Sequence, residues 1–370
     1  MEKILGIVNF ESSYVDIEGL TSTRSASAVS VFGKYRVVDF MVSNFSNSDV
    51  NSVQVYVKSK PASIIDHLYS TDYSINSKSE GFKVIPCLNE VHDYYNTDVA
   101  NFADNMYSIE SANANYVVVA PSNYIFTQDF AKLVEEHKKS KADITILYQK
   151  VNDAKTNFLM CDCLTFKEKT DSVINMRKNR ANSAKANVSL ETYVMAKDVF
   201  IDLIKGAMDA SSISSLHEVI TEHLVELKVK GYEHKGFAAC INSLKAYYDV
   251  NQKLIDKKIH STVINEQWPI YTRSGDACPT LYKEGAHVDN CIISNGSIIE
   301  GEVINCVIGR NVVIKKGAVV KDSIILPDTT IGTNVHIENA VVDSLVSATH
   351  KKLIAGTKEN PAYIKRGDKI

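Results

Sequence analysis

The sequence predicts two structural units, an α/β doubly wound domain over residues 1–258 and a left-handed parallel β-helix over 286–370, with a linker at 259–285. Up to about residue 255, short β-rich runs alternate with helical stretches. This alternation is typical of a parallel sheet covered by helices on both faces. From Ala286 onward, aliphatic residues recur about every six positions instead, which is typical of stacked β-helical coils.

The elements of the first unit follow from apolar periodicity and capping residues. A near-continuous apolar run at 116–120 predicts a strand that is covered on both faces. A helix is predicted to begin at Pro61, because proline suits the first helical turn. Further strands are predicted at 3–9, 52–57, 144–148, 159–166 and 189–195, and further helices at 98–110, 129–140, 217–230 and 244–258.

The repeat of the second unit consists of single aliphatic residues spaced six apart. They are Ile292 and Ile298, then Ile308, Ile314, Val320 and Leu326, and then Ile331 and Ile337. One inward aliphatic residue in each hexad predicts a hexapeptide-repeat β-helix, with a globular strand meander as the alternative. The open stacking edges of such a coil must be capped or paired with another subunit.

Composition excludes several classes of function. A net charge of −3 over 370 residues shows no footprint of nucleic-acid binding. There is no apolar run of about 18 residues and no signal-peptide pattern, so we expect no membrane association. The seven cysteines are scattered, and this predicts reduced thiols in a cytoplasmic protein.

The turn after the first strand is unusual for a nucleotide-binding domain. Residues 11–16 (ESSYVD) stand where such a domain normally has a glycine-rich loop that lets the backbone approach phosphates. This turn has no glycine and is acidic, so a triphosphate would meet side-chain bulk and negative charge. Either this turn is not a nucleotide loop or it is a disabled one.

The following stretch identifies the family that the chain resembles. Leu20, Thr21 and Arg24, then FGKYRVVDF at 32–40 and SN at 43–44, are similar to the bacterial glucose-1-phosphate adenylyltransferases. The resemblance continues through WPIYT at 268–272 and covers essentially the whole chain. More closely, the chain resembles the GlgD-type regulatory subunits of Gram-positive bacteria, in which the scaffold persists without its catalytic residues. The resemblance implies a degenerate nucleotidyltransferase-like first domain.

The family's catalytic positions are altered in this chain. The arginine of its phosphate cradle becomes Asp16, and a lysine further on becomes Ala26. Its two metal-binding aspartates become Asn123 and Cys240. Magnesium prefers carboxylates and phosphate oxygens, and a thiol is a poor ligand for it. We therefore expect no cofactor in this chain and Mg²⁺ only in a catalytic partner.

Two arginines of the family pattern are retained. Arg24 and Arg36 have the spacing of two arginines that line an anion effector pocket in relatives, which implies a phosphate or sugar-phosphate effector. The alternative is that Arg36 and Asp39 form a buried pair that braces the loop. The segments of the family that bind the sugar phosphate fall near 97–100 and 177–179 and match poorly, and His217 is expected on a helix surface.

The resemblance predicts a non-catalytic regulatory subunit of glucose-1-phosphate adenylyltransferase in bacterial glycogen synthesis. Its partner would be the catalytic subunit, in a hetero-oligomer that we expect to be a tetramer. One alternative is a weakly active adenylyltransferase with relocated metal ligands. Another is an acyltransferase, because hexapeptide β-helices occur in that class; His287 and His336 would then be the candidate catalytic residues.

Overall fold

The computed structural model describes residues 2–10, 15, 17–50, 52–58, 60–73, 75, 81–87, 97–210 and 214–370. The predicted phosphate turn, including Asp16, therefore lies outside the described residues apart from Val15. No helix in the described part is long and apolar enough to cross a membrane.

The described residues of the first unit form a mixed sheet of nine strands. The strands of this unit, including two short pairs outside the main sheet, are β1 Ile4–Asn9, β2 Ser30–Val31, β3 Tyr35–Arg36, β4 Ser52–Val57, β5 Gly81–Pro86, β6 Tyr116–Pro121, β7 Tyr124–Phe126, β8 Ile144–Val151, β9 Asp162–Phe166, β10 Val173–Lys178, β11 Ala186–Ala196, β12 Val229–Glu233 and β13 Ala238–Cys240. The pairings β5-β4-β1-β6 are parallel, and β11 then pairs antiparallel with β6 and β8. The parallel part of this sheet confirms the predicted α/β fold.

Helices cover both faces of the sheet. They are α1 Val37–Asn47, α2 Ala62–Tyr69, α3 Asp98–Asp104, α4 Met106–Glu110, α5 Phe130–Ser140, α6 Lys197–Asp209, α7 Leu216–Glu222, α8 Leu244–Lys253 and α9 Lys257–Val263. Helix α1 is buried along almost its whole length. Residues of α1 and of the β-helix belong to one apolar cluster, so the two units share one apolar core.

Three predicted helices are shorter than expected. The helix predicted at 244–258 ends at Lys253, and a separate helix, α9, begins at Lys257. The helix predicted at 98–110 breaks at Asn105, whose side-chain amide donates to the Asn101 carbonyl and competes with the helical hydrogen bonds. The helix predicted at 217–230 ends at Glu222. Its last residues enter β12, which pairs parallel with β8, so pairing at the sheet edge overrides the local helical pattern.

Residues 281–364, all of them described, form a parallel β-helix of three five-stranded sheets. Its strands are β14 Leu281–Tyr282, β15 His287–Asp289, β16 Ile292–Ile293, β17 Ile298–Ile299, β18 Glu302–Ile304, β19 Val307–Ile308, β20 Val313–Ile314, β21 Val319–Lys321, β22 Ile324–Ile325, β23 Thr330–Ile331, β24 His336–Glu338, β25 Ala340–Val342, β26 Ser347–Ala348, β27 Leu353–Ala355 and β28 Ala362–Ile364. The predicted β-helical fold is confirmed.

The phase of the repeat differs from the predicted one at three positions. Ile293, Ile299 and Ile325 line the coil interior, rather than their neighbours Ile292, Ile298 and Leu326. Adjacent aliphatic residues made the inward position ambiguous in the sequence. Of the outward residues, Leu326 is buried and Ile292 is half-buried, and both pack in the same apolar cluster as α1.

The two ends of the coil differ. At the C-terminal end, Ile370 packs on the coil interior, and its backbone bonds to Ser347 and Thr349. The chain's own tail therefore caps this end. At the N-terminal end, the interior positions of the first coil remain partly open to solvent, and Tyr282 is 54% exposed where its stacked neighbour Ile299 is fully buried.

Candidate functional site

The two positions of the family's metal-binding aspartates meet at one edge of the sheet. Asn123 lies in the turn between β6 and β7, and Cys240 ends β13, which pairs antiparallel with β7. The Asn123 side-chain nitrogen lies 3.5 Å from the Cys240 sulfur and 3.5 Å from the Ile241 carbonyl oxygen. Both side chains are buried.

The chemistry of this pair does not fit magnesium. Burial raises the pKa of the Cys240 thiol well above its ordinary value, and a hydrogen bond with Cys161 adds to this effect. The thiol is therefore neutral at physiological pH, and the amide of Asn123 carries no charge either. Among the described residues, no group of three or more His, Cys, Asp or Glu side chains is arranged to hold a metal ion.

Of the two altered positions at the predicted phosphate site, only Ala26 is among the described residues. Ala26 opens a short 3₁₀ helix at Ala26–Ala28, and its methyl group is buried in the core. Ala26 has no charged group that could contact a phosphate, and its methyl group contributes only to packing. The turn that would hold the phosphates lies outside the described residues.

The two segments that matched the family's sugar-phosphate motifs poorly, 97–100 and 177–179, both lie close to the start of α7. The buried carboxylate of Asp98 accepts hydrogen bonds from the Asn9 side chain at 2.8 Å and from the Leu216 backbone at 3.0 Å. Lys178 lies 3.1 Å and His217 lies 3.9 Å from the Asp162 carboxylate. Asn9, the partner of Asp98, is the last residue of β1, and doubly wound folds place their ligands beyond the carboxyl ends of their strands.

Arg24 lies between the two units and pairs with an acid of the β-helix. Its guanidinium donates to the Asp343 carboxylate at 2.6 Å, and both side chains are almost completely buried. The Tyr363 hydroxyl donates to the second Asp343 oxygen at 2.9 Å. Asp343 was not anticipated, because 319 residues separate it from Arg24.

Arg36 caps α1 next to Arg24. Its backbone N–H donates to Asp39 at 2.8 Å, and its guanidinium donates to the Ser63 carbonyl. The Asp39 carboxylate also contacts His67 at 2.6 Å. Burial lowers the pKa of Arg36, and the positive charge of Arg24 adds to this effect. Both the effector and the bracing hypotheses remain compatible with this geometry.

Two further arginines extend the positive charge of this interface and were missed at the sequence level. Arg273 is close enough to lower the pKa of Arg36 further, and it pairs with Asp66 at 2.8 Å. Arg310, from the β-helix, donates to the Arg273 carbonyl at 2.8 Å. Among the described residues its buried Nε atom has no hydrogen-bond partner. Only the packing of the linker between the units brings these residues together.

The histidines of the acyltransferase alternative lie on the outside of the coil. His287 is in β15 and His336 is in β24 of the same sheet, with β18 and β21 between them. Both side chains are exposed. The two therefore do not form a shared pocket.

The helix-covered mixed sheet and the β-helix that follows it have the architecture expected of a nucleotidyl transferase domain joined to a hexapeptide-repeat domain. Residues 17–257 match the nucleotidyl transferase family, and the chain belongs to this family. Residues 280–361 match the GlmU-like C-terminal hexapeptide family. Both matches agree with the two structural units.

Two relatives make the similarity more specific. The chain is 27% identical to the glycogen biosynthesis protein GlgD of Bacillus subtilis (strain 168), over 99% of this chain and 96% of that protein. It is 24% identical to the glucose-1-phosphate adenylyltransferase of Bacillus thuringiensis (strain Al Hakam), over 89% of this chain and 88% of that enzyme. These relatives confirm the resemblance drawn from the sequence motifs.

Proposed function

We propose that this chain is a non-catalytic regulatory subunit of glucose-1-phosphate adenylyltransferase in bacterial glycogen biosynthesis. It would act in the cytoplasm and tune the catalytic subunit, which makes ADP-glucose from ATP and glucose 1-phosphate. The observation that carries the proposal is the Asn123–Cys240 pair, a neutral amide and a neutral thiol at the family's metal positions. The similarity to GlgD over the whole chain supports the choice of pathway.

The first test is an activity measurement on the purified chain alone. With ATP, glucose 1-phosphate and Mg²⁺, we expect no pyrophosphate release above background. Removing one preorganised charge-stabilising group costs about 10²–10³ in rate, and here several are missing. Turnover within about a hundredfold of an ordinary 10 s⁻¹ would instead favour a weakly active enzyme with relocated metal ligands. Glu191, which accepts from the Tyr124 hydroxyl at 3.2 Å, would then be the first acid to replace by glutamine.

The open end of the β-helix is the surface we propose for assembly with the catalytic subunit. Its interior positions Tyr282, Val288 and Ile293 stack on residues that are fully buried, yet they are themselves partly exposed. The strand edges at this end offer backbone groups to a partner. A relative with the same coil would cover both, and two subunits of each kind would form a closed tetramer.

The arginines at the interface between the units support a second proposal, namely that an anionic effector binds there. Arg310 supplies a buried Nε atom without a partner among the described residues, and Arg36 and Arg273 lie nearby. Arginine forks suit phosphate groups. Inorganic phosphate should therefore raise the thermal midpoint of the chain, less so at high salt. An Arg310→Ala variant should lose this shift, whereas Arg366→Ala, at an exposed position, should keep it. An unchanged shift in Arg310→Ala would reject this site.

A further inference from the structure

Two cysteines stack on each other at one corner of the β-helix. Cys291 precedes β16 and Cys306 precedes β19, and these strands pair in register through Ile292 and Val307. The backbone N–H of Cys306 donates to the Cys291 sulfur, with 3.4 Å between the heavy atoms. At the next level of the same corner, the Ser323 hydroxyl accepts from the Ala340 N–H at 3.1 Å. This corner therefore holds a ladder of small polar side chains, and the two thiols occupy its first two positions.

The two thiols have different surroundings. Cys291 belongs to the first coil, at the open end, and is partly exposed, whereas Cys306 is completely buried. A hydrogen bond with the Cys306 side chain lowers the pKa of Cys291, and a hydrogen bond from the Cys306 N–H lowers it further. The Cys291 sulfur also contacts the Asp289 carbonyl oxygen at 3.1 Å. Burial raises the pKa of Cys306 well above its ordinary value. Cys291 is thus a partly exposed thiol whose pKa lies below its ordinary value, with a protonated thiol directly behind it.

Three other cysteines have pKa values above the ordinary value of a thiol, in contrast to Cys291. Burial raises the pKa of Cys163 to about 11 and that of Cys87 to about 12. The pKa of Cys240 is also raised by burial. Buried thiols of this kind are poor nucleophiles. The contrast singles out Cys291 as the most reactive of these five sulfurs, since Cys306 behaves as the buried ones do.

We propose that Cys291 is a site of oxidation by peroxides and that Cys306 is its resolving thiol. The Cys291 thiolate attacks one peroxide oxygen, the O–O bond breaks, and with one proton taken up the products are Cys291 sulfenic acid and water. The Cys306 sulfur then attacks the sulfenic sulfur, and a second water leaves as the disulfide forms. Two thiols are oxidised by two electrons and one hydrogen peroxide is reduced to two waters.

The stacking of the coil places the two residues at a suitable separation for this bond. Strands paired in a sheet lie about 4.8 Å apart, and disulfides join residues whose Cα atoms are about 4.4–6.8 Å apart. A reactive exposed cysteine next to a resolving one is the usual arrangement of reversible thiol oxidation. The inference depends only on the β-helix and is independent of the regulatory function proposed above.

The test uses the intact purified chain, treated with hydrogen peroxide and then alkylated. Trypsin leaves both cysteines in one peptide, 284–310, because no lysine or arginine lies between its ends. We expect this peptide to lose the mass of two hydrogens and to resist alkylation until dithiothreitol is added. Cleavage after Glu300 should leave two fragments that separate only on reduction.

Three variants assign the roles. Cys306→Ser keeps a small hydroxyl like that of Ser323 in the ladder, and in this variant peroxide should stop at a sulfenic acid that dimedone traps on Cys291. Cys291→Ser should leave the 284–310 peptide without oxidation, while Cys278→Ser, at an exposed position, should behave like the unmodified chain. Recovery of alkylatable Cys291 after peroxide would overturn the proposal. A reducible dimer joined through Cys291 of two copies would overturn the assignment of Cys306.

Discussion

The side-chain nitrogen of Asn123 donates to the sulfur of Cys240 across 3.5 Å, and both groups are buried. Two carboxylates this close together would repel each other unless a cation lay between them. Here a neutral donor and a neutral sulfur contact each other directly. The site has therefore become part of the packing between β7 and β13, and restoring a charge to it has a structural cost.

An Asn123→Asp variant should be destabilised and remain inactive. The new carboxylate would face the Ile241 carbonyl and the Cys240 sulfur without the amide donor, and an unsatisfied buried group costs about 1–3 kcal/mol. Burial should raise the pKa of the new acid, so the loss of stability should grow as pH rises from about 5 to 8. Urea unfolding at several pH values measures this. Asn113→Asp, at an exposed amide, is the control. Activity restored by this single change would contradict the proposed function.

An Arg24→Ala variant should be destabilised by about 3–5 kcal/mol, because it leaves the Asp343 carboxylate buried without its cation. Asp343→Ala should also be destabilising, and the double variant should lose less than the sum of the two. Tyr363→Phe is the control, since it removes only one hydrogen bond to the same carboxylate. Chemical unfolding of the four variants gives the coupling energy. A stable Arg24→Ala variant with an altered response to phosphate would instead support a role in effector binding.

The buried acid Asp98 should make stability depend on pH. Burial raises its pKa, so the folded chain holds this proton more tightly than the unfolded chain. Its contribution is therefore fully present below about pH 4 and is lost as pH rises through the folded pKa, by at most about 1.4 kcal/mol per pH unit.

An Asp98→Asn variant should lack this slope. The new amide can donate to Asn9, whose Oδ1 has no partner among the described residues, after the Asn9 amide turns over. Unfolding measured between pH 4 and 7 should show the wild type losing stability relative to this variant. Asp104→Asn, at an exposed position, should follow the wild type. Parallel pH profiles of the wild type and Asp98→Asn would contradict the raised pKa.

Mixing the chain with its catalytic partner should give a larger species with higher catalytic efficiency or an altered effector response. A Tyr282→Asp variant should weaken assembly, because it places a charge on the open end of the coil. Leu353→Asp, at a 63% exposed position in the last coil, should assemble normally. Light scattering after size exclusion at micromolar concentration measures both. Separate elution of the two wild-type proteins, with unchanged kinetics, would reject the regulatory-subunit proposal.

A deletion of the β-helix from about Gly285 should also abolish assembly, but it is a less specific test. Val307, Ile324 and Val341 on the coil belong to the same apolar cluster as Phe40 in α1. Removing them would expose this cluster and destabilise the first unit. The Tyr282→Asp variant changes a side chain that is already open to solvent, so it tests the surface rather than the fold.

The sequence predicted the fold well where the pattern was local and repetitive. The apolar run now in β6 and the hexads of the coil each determine their own structure, because side chains alternate or repeat with the geometry of the strand. The inward position of the coil could not be derived at Ile292–Ile293, because both adjacent residues are aliphatic. Ile293 packs in the coil interior, whereas Ile292 packs against the core of the first unit. The packing of the coil against the first unit decides which of them points inward.

The candidate site could also be predicted from the sequence only in part. The resemblance assigned Asn123 and Cys240 to the two metal positions, and they lie side by side because β7, which follows Asn123, pairs with β13. The resemblance could not find Asp343 or Arg310, which come from the β-helix and have no sequence pattern linking them to Arg24. Contacts between the two units depend on how the linker positions one unit against the other. The local sequence pattern of either unit does not contain this information.

The ion pair between Arg24 and Asp343 also has a consequence for synthesis of the chain. Because 319 residues separate the partners, the arginine leaves the ribosome long before its carboxylate is made. Chains grow at about 5–20 residues per second. For tens of seconds, therefore, the first unit exists without the β-helix, and Arg24 and its side of the shared apolar cluster are exposed to solvent. A chaperone that holds this face during translation would protect the nascent chain at the point where it is most prone to aggregate.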